Sequence, residues 1–106
     1  MALEITSENI QKIISDNQIV IIDLWRDSCP PCRVIGPIID QLAQENTDII
    51  IGKLDTSKYP DITSGFGVTS VPTLIYFKDG KEVERTKGVL AKSQLEVKIA
   101  LLKAPQ

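Results

Sequence analysis

The stretch IVIIDLWRDSCPPCRVIGPIIDQLA, residues Ile19–Ala43, decides the fold. Its first seven residues are a short, β-branched, nearly unbroken apolar run, which reads as a strand buried on both faces. One polar residue, Asp23, interrupts it. Its second half places Val34, Ile35, Ile38, Ile39, Leu42 and Ala43 at helical spacing. That spacing predicts a helix running to about Asn46, with Pro37 kinking it from inside. Between strand and helix stand the only two cysteines, Cys29 and Cys32, separated by Pro30 and Pro31.

Outward from this core the pattern repeats. DIIIGKLD, Asp48 to Asp55, reads as a second buried strand, and strand, helix and strand make a βαβ unit with right-handed parallel pairing. Upstream, Ile5, Ile10, Ile13 and Ile14 predict a short helix capped by Thr6 or Ser7. Downstream, SKYPDITSGFG holds at most one short helix before a Gly-rich loop. TLIYFKDGKEVERTKG reads as a β-hairpin turning at Asp79-Gly80, and Leu95, Ile99 and Leu102 mark a closing amphipathic helix. Tyr76, Phe77 and Phe66 read as core or sheet-face aromatics. The sum is one α/β domain over residues 1–106: a small mixed sheet with helices on both faces.

Composition narrows the function. The chain of 106 residues carries a net charge of −2 and no dense Lys/Arg stripe, which argues against a nucleic-acid surface. No apolar run approaches the ~20 residues of a membrane span. MALEITSENIQK lacks the apolar core of a signal peptide, so a cytoplasmic, reducing setting is the expectation. There is no histidine, which removes the commonest general base near neutral pH and the commonest metal ligand.

Three readings compete for the cysteine pair. A structural zinc site needs about four thiolate or imidazole ligands, and two thiols without histidine could close one only between molecules. A structural disulfide over so short a loop removes little unfolded-state entropy. A redox dithiol is the reading that a C-x-x-C between a buried strand and a helix favours. Cys29 at the helix N-terminus would have its thiolate stabilised by the dipole and free N–H groups, and Cys32, one turn on, could attack the mixed disulfide. Arg33 is either a solvated helix residue or electrostatic help.

With these residues in view, the chain resembles the thioredoxin family over nearly its whole length. DLWRDSCPPCRVIGPIIDQLA is similar to the family's active-site strand and helix, and VPTLIYFKDG to its cis-proline strand and turn. The resemblance implies the thioredoxin fold and a protein-disulfide reductase, acting through a redox-active Cys29–Cys32 disulfide with no bound cofactor or metal. Cys29 would attack and Cys32 resolve. Asp23 would be the buried acid that moves the proton, with a raised pKa because burying a charge is costly. Lys53 matches the family's buried lysine and would partner Asp23; the alternative is a snorkelling strand lysine. Trp25 matches a tryptophan at the strand end, with core packing as its other reading. Pro72 would be cis and face the cysteines, Val71 would pair with a client peptide as an added strand, and Gly88 would leave it room. Pro37 matches the family's helix kink. The implied partners are client proteins with disulfides and an external thioredoxin reductase or equivalent donor, with the protein itself a monomer. Two alternatives to the reductase are the same fold run as an oxidase or isomerase, and a binding module that uses the fold as a scaffold.

The active-site loop departs from the family's usual Trp-Cys-Gly-Pro-Cys. Ser28 stands where an aromatic is usual, which shrinks the apolar rim met by clients. Pro30 replaces glycine and removes one N–H beside the Cys29 sulfur, leaving that of Cys32 as the local donor. The expectation is a Cys29 pKa above that of a Gly-Pro loop and a stronger reductant.

Overall fold

The computed structural model describes residues 1–105. Its elements run β1 (Leu3–Glu4), α1 (Ile10–Asp16), β2 (Ile19–Trp25), α2 (Pro30–Glu45), β3 (Ile50–Asp55), α3 (Pro60–Gly65), β4 (Thr73–Lys78), β5 (Lys81–Lys87) and α4 (Lys92–Lys103). The five strands form one sheet in the order β1-β3-β2-β4-β5. β1 and β2 each pair with β3 in parallel, while β4 pairs antiparallel with both β2 and β5. The mixed sheet, the βαβ unit and the hairpin are as the sequence predicts.

β2 is paired along both edges and covered on both faces, so six of its seven residues are buried. Alternation sorts them between two cores. Ile19 and Ile21 face α2 and α4, against Ile35, Ile39, Leu42, Leu95 and Ile99. Val20, Ile22 and Leu24 face the other way, against Ile10, Ile75 and Phe77, with Ile13, Ile14 and Ile62 at the margin. Each such side chain contributes about 1.5–3 kcal/mol of transfer free energy. Tyr76 and Phe77 are buried, and Phe66 meets Phe77 edge to face at 6.0 Å between ring centroids. The Asp79-Gly80 turn has positive φ at both residues, 52° and 82°, as a two-residue hairpin of twisted strands requires.

The N-terminus differs from expectation. Ile5 is not part of α1; it lies fully buried between β1 and α1, its N–H donating to the Lys53 carbonyl. Thr6 does not cap the helix directly. Its Oγ1 accepts from the N–H groups of Glu8 and Asn9, while Asn9 Oδ1 accepts from the Thr6 N–H. The reciprocal bonds form a turn one step before the helix, and Ser7 takes no part in them. β1 itself was not expected, because two residues offer no periodicity to read.

This N-terminal segment closes over Gly52. A Cβ there would lie 2.6 Å from Ile5 Cγ1 and Cδ1 and 3.0 Å from the Leu3 carbonyl oxygen. Gly52→Ala is therefore expected to cost about 1–3 kcal/mol by forcing Ile5 and β1 off β3. Gly65→Ala, where nothing lies within 4 Å, serves as the control and should stay within about 0.5 kcal/mol of wild type. Urea unfolding measures both, and equal midpoints for the two variants would contradict the tight β1–β3 contact.

Candidate active site

The cysteines sit where β2 gives way to α2. The chain leaves β2 at Trp25 and turns through Ser28, which adopts a positive φ of 61°. An L-residue there costs roughly 1–2 kcal/mol, so the reversal is enforced by its surroundings. Cys29 is then the N-cap of α2, with Pro30 and Pro31 as the first two helical residues. Proline suits these positions, because their N–H groups would have no intrahelical acceptor. The Cys32 N–H donates to Cys29 Sγ at 3.2 Å. Pro30 and Pro31 have no N–H to offer, so this is the one local backbone donor the loop supplies, as the sequence predicts. Cys29 and Cys32 are joined as a disulfide, their Cα atoms 5.2 Å apart.

A second segment meets the cysteines from the start of β4, which lies beside the end of β2: Thr73 is the register partner of Leu24. The Val71–Pro72 peptide is cis, and the Val71 carbonyl oxygen lies 3.9 Å from Cys29 Sγ. With the disulfide closed that sulfur has no proton to donate, so this is a contact rather than a hydrogen bond. Thr73 Oγ1 donates to the Ser70 carbonyl at 2.7 Å, and the Gly88 N–H to the Pro72 carbonyl at 2.9 Å, which pins the loop at both ends. Gly88 has a φ of 81° and open space where a Cβ would stand, so its backbone conformation already accounts for glycine there. Ser28, Pro30 and Pro31 are exposed at the rim.

Exposure does not separate the two cysteines, since each is 5% accessible. Their surroundings do. Cys29 faces Val71, whereas Cys32 borders a cleft of about 300 Å³ shared with Asp23, Trp25, Asp40 and Lys53. Asp23 is 1% exposed, and its Oδ1 has no hydrogen-bond partner. Burial pushes its pKa up to about 7; the Lys53 charge opposes this and the Asp40 charge reinforces it. The raised pKa expected of an acid in the middle of β2 is thus present.

Lys53 departs from expectation in one respect. It lies beside Asp23 in the β2–β3 register, but its Nζ donates to Asp40 Oδ2 at 3.1 Å. No hydrogen bond or ion pair joins it to Asp23 among the described residues. A carboxylate on α2, absent from the residues the sequence singles out, has taken the ammonium. The signal available was spacing: Cys32, Gly36 and Asp40 recur every four residues and so share one helix face. Burial disfavours the Asp40 carboxylate, but hydrogen bonds from the Ala2 N–H and from Lys53 outweigh it and hold its pKa below the usual value.

A disulfide at a helix N-terminus, facing a peptide carbonyl on one side and a buried acid on the other, defines a thiol–disulfide exchange protein. Comparison with known proteins gives the family. The sequence model of the Thioredoxin family matches residues 1–101. The thioredoxin of Alicyclobacillus acidocaldarius is 36% identical over 99 residues, covering 92% of this chain and 94% of its own length. That of Mycobacterium bovis is 39% identical over 84 residues, 78% of this chain and 72% of its own. A mutant thioredoxin from Halobacterium salinarum superposes with a TM-score of 0.91 at 31% identity, covering 99% of this chain and 93% of that one. The chain belongs to the thioredoxin family. It is a thiol-disulfide oxidoreductase, a protein-disulfide reductase whose redox group is the Cys29–Cys32 disulfide. Membership implies client proteins with disulfides and a reductase that recharges the dithiol. No described helix is long and apolar enough to cross a membrane.

Two predictions follow from this geometry. Pro30→Gly restores a backbone donor beside Cys29 Sγ, so the Cys29 thiolate should titrate at lower pH than in the native loop. Thiolate absorbance against pH measures this, and an unchanged or higher pKa in the variant would refute it. The second concerns stability. With Asp23 at about 7 in the folded protein and at its ordinary 3.8 in the unfolded chain, the native state binds the extra proton between those pH values. Stability therefore falls as pH rises through that window, and the deficit is complete above about pH 7. Oxidised Asp23→Asn should be more stable than wild type at about pH 8, by up to about 4 kcal/mol, and the gap should close toward about pH 4. Urea titrations at the two pH values test the sign.

Proposed function

We propose that client disulfides are reduced by a relay in which Cys29 attacks, Cys32 resolves and Asp23 carries the proton. The Cys29 thiolate attacks one client sulfur; the Cys29–client bond forms, the client disulfide breaks, and the first client thiolate leaves and is protonated. Asp23 then takes the Cys32 thiol proton, directly or through water in the cleft. The Cys32 thiolate attacks Cys29 Sγ, closing the disulfide and releasing the second client thiolate, to which the proton passes. Two electrons have moved from the protein dithiol to the client.

The observation that supports this reading is the unpartnered, buried carboxyl of Asp23 opening onto the same cleft as Cys32. In a chain without histidine, that carboxyl has the proton affinity a base needs near neutral pH. Trp25 walls the cleft, and Lys53 tempers the Asp23 charge through space. Val71 and Pro72 present backbone beside Cys29 on which an extended client segment can lie, with Gly88 behind them and Ser28, Pro30 and Pro31 forming a small rim. The Cys-Pro-Pro-Cys loop offers one local donor to the sulfur, which supports a reducing poise. The setting is the cytoplasm, the donor is a thioredoxin reductase or its equivalent, and the working unit is a monomer.

Insulin-disulfide reduction driven by dithiothreitol tests the relay. Cys29→Ser should abolish it, and Cys32→Ser should accumulate a mixed disulfide on Cys29. Equilibration against glutathione tests the poise: the midpoint should lie at or below the ~−270 mV of thioredoxin. A midpoint far above that value would overturn the reducing direction in favour of an oxidase or isomerase.

A further inference from the structure

Asp40 has no part in the relay, yet it lines the same cleft. Asp23 and Lys53 are register partners on adjacent parallel strands, so both side chains leave the sheet on the face covered by α2. From α2, Cys32, Gly36 and Asp40 come down to meet them at four-residue steps. Lys53 is thus offered two carboxylates, Asp23 from the next strand and Asp40 from the helix.

Several contacts hold it to Asp40. Lys53 Nζ donates to Asp40 Oδ2 at 3.1 Å, and the Ala2 N–H donates to Asp40 Oδ1 at 3.0 Å. Both carboxylate oxygens are therefore engaged, and the neighbouring β1 holds Ala2 in place. The ammonium lies along the backbone of α2: a Cβ added at Gly36 would sit 3.5 Å from Nζ. Hydration favours the same choice. The Lys53 and Asp40 side chains remain 26% and 33% exposed, whereas Asp23 is buried, so a pair with Asp23 would cost more desolvation.

We propose that Asp40 is a positioning residue, which holds the Lys53 ammonium against α2 and off Asp23 and so leaves the Asp23 carboxyl without a counter-ion and able to exchange a proton with Cys32. Two effects act in one direction. The Asp40 charge repels a second carboxylate nearby, and its grip on Lys53 withholds the cation that would favour one. The remaining charged groups at the cleft, Arg26, Asp27 and Arg33, make no ion pair with Asp23. On the other edge of β2, β4 sets the uncharged Leu74 opposite Asp23.

The inference rests on Asp23 being the proton carrier, and the experiment separates the two. The Asp23 carboxyl is titrated by carbon NMR in the folded, oxidised protein. In Asp40→Asn, which keeps the shape and removes the charge, its midpoint should fall by roughly one pH unit. Asp40→Glu should restore it, and Lys53→Met should raise it above wild type. An unmoved midpoint in Asp40→Asn overturns the proposal, as does a fall that Asp40→Glu fails to reverse. The pH profile of mixed-disulfide resolution by Cys32 is read in parallel and should move with the Asp23 midpoint. If Asp23→Asn keeps the wild-type profile, the proton role of Asp23 fails and the proposal's consequence for Cys32 fails with it. The titration alone then decides whether Asp40 governs Asp23.

Discussion

β2 is hydrogen-bonded on both edges and covered on both faces, so a carboxyl on it has little solvent to ionise into. The rest of the site is arranged around that constraint. A buried, unpaired carboxylate is costly, and the protein meets the cost by raising the affinity of Asp23 for its proton instead of supplying a full counter-ion. A carboxyl that would be a fully ionised surface group elsewhere becomes one that titrates near neutrality. In a site without histidine, this proton affinity follows from where the strand lies, rather than from any unusual residue.

The two sulfurs stand within one turn of the same βα junction, in different surroundings. Cys29 caps the positive end of a 16-residue helix, where its sulfur accepts the Cys32 N–H. Cys32 borders the cleft that Asp23 also lines. Both are equally inaccessible, so the asymmetry between them is chemical. The two prolines keep the helix start rigid while leaving the Cys29 sulfur short of donors. The residues that suit the helix geometry thus also limit the donors beside that sulfur.

Much of this was legible from sequence, for identifiable reasons. β2, β3 and α2 are long enough for their periodicities to show, and the Asp79-Gly80 turn carries its own chemistry in two residues. The buried acid could be read because Asp23 breaks an apolar run, which a surface carboxylate does not do. β1 was missed because two residues have no period. The start of α1 was misread because the Thr6–Asn9 turn rests on reciprocal side-chain bonds, and the isoleucine before it belongs to a different contact.

The partner of Lys53 marks where sequence reading ends. Sequence by itself determined the class of fold, the dithiol at a helix start, and a carboxyl and an ammonium on neighbouring buried strands, because these depend on local pattern and composition. Only the tertiary structure decided that the ammonium turns to Asp40, that Ala2 braces that carboxylate, and that Val71 meets Cys29. Each of these contacts joins segments 13 to 42 residues apart. Which of two acids a lysine chooses depends on hydration and distance after packing, and no spacing along the chain encodes either.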